Sequence, residues 1–313
     1  MSNDNSKQIN EDISLYGLIS LFFQHWLVLV ICGFSFAFTA MVWAIFQPNV
    51  YTAEITIMPV KKDEKSMAGV ASQLGGLASL AGLNLNKDLD ENAKLALKML
   101  TSKKFIMEFI EEEQLAVPIM AAKSWDIATD KLEIDPDVYD VETKTWVREA
   151  VAPRTSEPSL QEIFAVFVEL LEVEEEPKSK FIKVSLDFYS PKLATAWLNK
   201  LIDKLNHDIR ALDKQLADES INYLNEAYDS AKLANMKKAI SILVEEQVQA
   251  KMLTEIRKDY VFMVVDPAIV PEIKSKPKRA IIVVVGGFIG GIIGLIIILF
   301  ISGRKNHLNA QRG

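Results

Sequence analysis

AIIVVVGGFIGGIIGLIIILFI, residues 280–301, holds no charged side chain. At about 1.5 Å of rise per residue it matches the thickness of a bilayer's hydrocarbon core. A second stretch of the same kind, LVLVICGFSFAFTAMVWAIF, occupies residues 27–46. The pair predicts two membrane-spanning helices, with residues 47–279 on one side and both ends of the chain on the other. A cleaved signal peptide fits the first stretch poorly, because Lys7 is outweighed by Asp4, Glu11 and Asp12 and the apolar run is full length. Charge does not fix the orientation. Lys274, Lys276, Lys278 and Arg279 precede the second span, Arg304, Lys305 and Arg312 follow it, and a long translocated domain weakens the positive-inside rule.

The second span also carries a pattern. Gly286, Gly290 and Gly294 recur every four residues, with Gly287 and Gly291 one place on. Small residues at this spacing let another helix backbone approach closely. The plainer reading is that glycine is common in membrane helices; five on adjoining ridges favours packing.

The middle is acidic, at about −8 of the whole chain's −7 once the spans and ends are set aside. Nucleic acid demands a basic footprint, so it is excluded as a partner. The single cysteine, Cys32, lies within the first span, which leaves the middle without a disulfide or a thiolate metal site.

Residues 9–25 place Ile13, Leu15, Leu18, Ile19, Phe22 and Phe23 broadly on one side of a helix, read either as an interfacial lead-in or as an extension of the span. After Gln47-Pro48, YTAEITIMPV (51–60) alternates as a strand. Residues 66–86 are rich in Gly, Ala, Ser and Leu and read as a loop, without the strand–glycine–helix spacing of a phosphate cradle. Helix is expected over 90–115, with Ser102 capping its second half, and a loop with a short helix near 141–150 over 118–158. A helix from Ser159 to about Leu170 leads into a hairpin of 171–176 and 181–188. Glu174–Glu176 is the solvated end of that hairpin rather than a calcium loop.

From Lys192 to Asp266 there is neither Gly nor Pro, and apolar residues recur every three or four positions. A continuous helix over about 191–258 would be roughly 100 Å long. Part of it would project, carrying a stripe through Leu224, Tyr228, Ala231, Ile240 and Leu243 that needs another surface, within the chain or between subunits. The alternative is a break near Asp213–Ser220. YVFMVV (260–265) is a last strand, and Pro267, Pro271 and Pro277 space the segment before the second span. Proline fixes φ and removes a donor, so this segment reads as a semi-rigid strut, or more simply as a linker.

No catalytic constellation is present. His25, His207 and His307 stand apart without a second ligand at metal spacing, and the nucleophile-elbow, zinc-helix and P-loop signatures are missing. No catalytic residue, cofactor or metal is therefore expected.

The acidic lead-in EDISLYGLISLFFQHW, the strand YTAEITIMPV, SQLGGLASLAG, FIKVSLDFYSPKLATAWLNKLIDKLN, DYVFMVVDPAIVPEIKSKPKRA and the glycine-rich second span resemble the chain length determinant family of bacterial inner membranes, the Wzz-type, class 1 polysaccharide co-polymerases. Two departures stand out. The membrane border at Gln24-His25-Trp26 lacks a basic residue, and the middle domain is short. The resemblance implies an α+β fold, with two transmembrane helices flanking a periplasmic α/β base domain and a long projecting helix. It divides the chain into a cytoplasmic N-terminus and interfacial helix (1–26), a first span (27–46), a periplasmic domain (47–279) with its helical extension (191–258), a second span (280–301) and a cytoplasmic tail (302–313).

It further implies a non-enzymatic role in the inner membrane. A homo-oligomeric ring would act with an integral-membrane polymerase on lipid-linked polysaccharide, setting the chain length of a surface polymer such as the O antigen of lipopolysaccharide. Two other functions compete. One is the membrane subunit of a tyrosine-kinase-type co-polymerase whose kinase is on a separate chain, which the short tail permits. The other is a two-span sensor, against which the missing output domain counts.

Overall fold

The computed structural model describes residues 26–60, 89–176, 179–256 and 259–310. The expected helix over 9–25 and the glycine-rich segment 66–86 lie outside the described residues. In chain order the elements are α1 (Trp26–Phe46), β1 (Tyr51–Pro59), α2 (Leu89–Leu100), α3 (Lys103–Glu112), α4 (Ala116–Ala121), β2 (Ala122–Asp126), β3 (Lys131–Ile134), β4 (Tyr139–Asp140) and β5 (Thr145–Trp146). There follow α5 (Leu160–Leu170), β6 (Leu171–Glu175), β7 (Ile182–Phe188), α6 (Pro191–Ser230), α7 (Ala234–Ile256), β8 (Phe262–Asp266) and α8 (Arg279–Ala310). The chain divides into two compact units, one of residues 1–48 and 276–313, the other of residues 49–275.

In the first unit α1 and α8 pack against each other along their length. Both are long and apolar enough to cross a membrane, over Trp26–Phe46 and Arg279–Phe300. Their outward side chains are apolar and exposed, including Phe34, Phe46, Phe288 and Phe300. Helices that are apolar all round belong in lipid or in a large core. At one end, Arg279 Nε donates to the Ala44 carbonyl at 3.1 Å. Helix α8 runs on to Ala310, beyond the expected end of the span at residue 301.

The second unit is built on a four-stranded antiparallel sheet in the order β6-β7-β1-β8. The alternation that marked the strands has a direct cause, since only one face of the sheet is covered. Tyr51, Ala53, Ile55 and Ile57 of β1 and Ile182, Val184, Leu186 and Phe188 of β7 turn into the core. Opposite them sit Leu198, Leu201, Ile202 and Leu205 of α6, Phe105, Ile106, Phe109 and Ile110 of α3, and Ile163 and Phe167 of α5. Phe109 meets Phe167 with ring centroids 6.0 Å apart, and Phe188 meets Trp197 at 4.6 Å. The other face is polar, with Lys183 paired to Glu54 across the strands at 2.7 Å.

Serine side chains start three of the helices. Ser102, Ser159 and Ser190 accept from the backbone N–H groups of Phe105, Glu162 and Leu193, relieving donors that a helix's first turn leaves unpaired. Pro191 stands in the first turn of α6, where its missing N–H costs nothing.

Two expectations are corrected. The short helix near 141–150 is instead the hairpin β4–β5, preceded by a like hairpin β2–β3. Asp140 explains it: its carboxylate accepts from the N–H of Glu142 at 2.9 Å and the hydroxyl of Thr143 at 2.7 Å, closing a turn before a helix can form. Asp126 does the same with Ala128 and Thr129. Lys144 and Asp130 then take positive φ in corresponding places, four residues after each aspartate. These hydrogen bonds, that from the threonine hydroxyl foremost, hold both carboxyls below their ordinary values.

The single helix expected over 191–258 is two helices, interrupted at residues 231–233 rather than near 213–220. They fold back on each other. Lys214 pairs with Glu255 at 3.0 Å, Lys251 with Asp218 at 2.6 Å, and the Lys237 ammonium lies 4.7 Å from the Tyr228 ring centroid. As the partners on α6 advance, those on α7 retreat, which is the register of an antiparallel hairpin.

Candidate functional site

Gly286, Gly287, Gly290 and Gly294 of α8 sit where the two apolar helices touch. A Cβ on Gly290 would fall 2.6 Å from the Cys32 carbonyl oxygen and 2.7 Å from Phe36 Cβ. One on Gly286 would fall 2.5 Å from Ala40 Cβ, and one on Gly294 3.2 Å from Leu29 Cδ2. Gly287 has room for ordinary contact with Ala37 Cβ at 3.5 Å, and Gly291 meets nothing within 4 Å. Gly286 and Gly290 thus admit α1 at a distance that a larger residue would force apart, while at Gly294 an added Cβ would be tight. Gly287 and Gly291 have no such role in this contact.

The proline segment is held, not hanging. Pro267 follows β8 directly. Asn199 Nδ2 donates to the Ala268 carbonyl and Thr195 Oγ1 to that of Ile269, each at 3.3 Å, so the first turns of α6 fix the chain as it leaves the sheet. Farther on, Ser275 N–H donates to the Val50 carbonyl at 2.9 Å, and Ser275 Oγ accepts from Thr52 N–H at 3.2 Å. Lys274 Nζ donates to Asn49 Oδ1 at 3.1 Å. Pro271 lies between these two sets of bonds and Pro277 precedes α8.

The hairpin divides the expected stripe. Ala231 and Ile240 are buried within the chain, and Leu224 is half-buried. Tyr228 and Leu243 keep 37% and 40% of their surface exposed.

Three features had no place in the sequence reading. Asn206 is buried on α6, and its side chain holds the start of β8 at three points. Oδ1 accepts from Val261 and Phe262 N–H at 3.1 and 3.0 Å, and Nδ2 donates to the Phe262 carbonyl at 3.0 Å. The signal was an Asn between Leu205 and Ile209, on a helix face otherwise apolar. Lys204 stands beside it, paired with Glu112 at 2.8 Å and Asp208 at 3.2 Å. Burial pulls its pKa down, but the bonds to the two carboxylates outweigh this and leave it raised. The third is Glu162, 2.6 Å from Arg148. That hydrogen bond, with a weaker Coulombic contribution, sets its carboxyl below the ordinary value against the opposing effect of burial.

His207 lies with Glu112, Asp203 and Arg210 on an open polar groove of about 640 Å³. Among the described residues no three His, Cys, Asp or Glu side chains are grouped so as to hold a metal ion. What the geometry brings together is a set of contacts for joining helices and fixing a tether.

Residues 11–113 match the family model described as Wzz, chain length determinant protein. This bears out the resemblance carried by the lead-in, the first strand and the SQLGGLASLAG segment. No curated protein matches in sequence. Among solved structures, a full-length bacterial polysaccharide co-polymerase is similar at 12% identity and a TM-score of 0.39, over 94% of this chain and 99% of its own. A fragment of WzzB, a polysaccharide co-polymerase from Salmonella Typhimurium, is similar at 12% identity and a TM-score of 0.30, over 73% of this chain and 100% of its own. Likenesses this loose leave the family match as the finding that bears on function.

Proposed function

We propose that this chain, whose residues 11–113 match the chain length determinant family, is a non-enzymatic regulator of the length of a bacterial surface polysaccharide of the O-antigen type. The match carries the reading, and the pair of apolar helices around an acidic α/β unit supports it. In this reading the helices span the inner membrane, the α/β unit is periplasmic and both ends of the chain are cytoplasmic. Copies assemble into a ring through apolar positions of the α6–α7 hairpin, and the ring acts on a membrane polymerase that extends lipid-linked polysaccharide.

The glycine ridge and the proline tether serve this indirectly: one closes the two spans on each other, the other fixes the sheet to the chain entering the second span. The ring sets how long a growing chain stays with the polymerase, either by weak contact or by gathering polymerases. The acidic middle argues against tight electrostatic capture of an anionic polymer.

The test is a deletion strain whose surface polysaccharide is separated on a gel. Loss of the modal band cluster, restored by the intact chain, is the expected result. Unchanged banding in the deletion would overturn the reading.

A further inference from the structure

After β8 the carbonyls of Ala268 and Ile269 turn inward, and past Ala268 the apolar side chains turn outward. Ala268 is buried and its carbonyl, with that of Ile269, is bound by α6. The Ile269 and Ile273 side chains are nevertheless 76% and 82% exposed, and Val270 is 47% exposed. Ile273 lies six residues before Arg279, where the apolar helix begins. Even fully extended, six residues reach only roughly 20 Å. Lys276 and Lys278, both exposed, stand in that interval, in a chain whose middle is otherwise acidic.

Lone apolar residues on a surface need no explanation, but a cluster followed at once by exposed cations and then by a membrane span does. Basic residues flanking a span are attracted to anionic headgroups, and apolar side chains beside them enter the interfacial layer.

We propose that residues 269–278 form a membrane-surface contact in which Ile269, Val270 and Ile273 enter the lipid interface and Lys276 and Lys278 meet anionic headgroups. The occupant is the lipid surface, not a second copy of the chain, because charge and proximity to the span both favour it. The proposal rests on the membrane-spanning reading, and its test separates the two.

Nitroxide labels on single cysteines are introduced into the full-length chain carrying Cys32→Ala, at Ile273→Cys, at Phe288→Cys within the span and at Glu142→Cys on an exposed hairpin. Each protein is placed in nanodiscs of phosphatidylethanolamine and phosphatidylglycerol, and accessibility to oxygen and to a water-soluble nickel chelate is measured. The label at 273 should favour oxygen, as at 288, and that at 142 should favour nickel. Lys276→Gln with Lys278→Gln, or phosphatidylcholine in place of phosphatidylglycerol, should move the balance at 273 toward water, about fivefold per lysine. A nickel-accessible 273 beside an oxygen-accessible 288 overturns the contact and leaves the span intact. Shielding of 273 from both reagents overturns it in favour of a second copy. Indifference to the lysines and to lipid charge overturns the headgroup contact, and a nickel-accessible 288 overturns the spanning reading as well.

Discussion

Replacing Gly290 by Ala adds one methyl group at the closest approach of α1 and α8. That carbon would lie 2.6 Å from the Cys32 carbonyl oxygen, 2.7 Å from Phe36 Cβ and 3.0 Å from Gly33 Cα. Ordinary contact is about 3.5–4.0 Å, so the shortfall is roughly 1 Å. None of the three atoms is the movable end of a long side chain, so relief requires the helices to separate. Overpacking of this kind costs about 1–3 kcal/mol, or roughly a 5- to 150-fold fall in the ratio of packed to separated helices. In a bilayer no hydrophobic drive between helices offsets it.

Gly291 provides the control, because its Cβ would meet nothing within 4 Å. Gly287 and Ala37 provide the reporter, because their Cβ positions lie 3.5 Å apart, within the disulfide range of about 3.5–4.5 Å. With Cys32→Ala, Ala37→Cys and Gly287→Cys in place, oxidation in nanodiscs should form the cross-link readily in the parent and with Gly291→Ala. It should slow with Gly290→Ala and more so with Gly290→Leu. An undiminished rate with Gly290→Ala refutes the contact, and equal slowing with Gly291→Ala assigns the effect to glycine loss as such.

Other consequences are open to measurement. Asn206→Ala leaves the N–H groups of Val261 and Phe262 and the Phe262 carbonyl without their partner, at about 1–3 kcal/mol for each group left unpaired, so the denaturation midpoint should drop markedly; a shift no larger than that of a surface substitution would refute the role. Glu162 has a depressed pKa in the folded state, so its pairing with Arg148 stabilises fully above the ordinary carboxylate value of about 4.3 and is lost as pH falls through the lower folded value. Glu162→Gln should flatten stability against pH on the acid side, and an unchanged acid limb would count against the pair. Thr195→Val with Asn199→Leu should loosen the tether and quicken amide exchange over 262–270, as should alanine at Pro267, Pro271 and Pro277 through a freer backbone; exchange as slow as in the parent would leave the segment a plain linker. Leu224→Asp with Leu243→Asp should lower the sedimenting mass of the chain in mild detergent while helical content persists, and identical sedimentation would remove the hairpin from assembly.

The strands were legible because each has one face in the core and one in water, which writes period two into YTAEITI and IKVSLDF. The starts at Ser102 and Ser159 were legible for an equally local reason, whereas the Ser190 cap before Pro191 was not read. The two small hairpins over 122–146 were not, because their turns are set by Asp126 and Asp140 carboxylates and their strands are too short to show a period. Spacing disclosed the glycine ridge but not its partner, since a helix spacing states which face is small and not what lies on it. Asn206 was hidden for a related reason: a polar residue on an apolar face is a defect until the strand that satisfies it is in place.

The long helical stretch shows how a signal can be read correctly and still mislead. Its apolar residues advance by three or four except at 216–221, 231–236 and 243–248, where they advance by five. A step of five turns the stripe by about 140°, against about 60° one way for three and about 40° the other way for four. Such a step can be absorbed by breaking the helix or by letting the stripe leave the contact. The chain breaks at 231–233, and this brings the second half of the stripe back against the first, with Ala217, Ala231, Ile240 and Thr254 buried. Three of those four are small, which lets the helices approach. At the other two steps the helix continues, with Leu216, Leu243 and Val248 exposed and Ile221 half-buried. Sequence alone does not choose between the two outcomes, because the choice depends on whether a facing helix exists to receive the residues. Of the expected stripe, Tyr228 and Leu243 are the members that the hairpin leaves outward, beside Leu212, Met252 and Ile256.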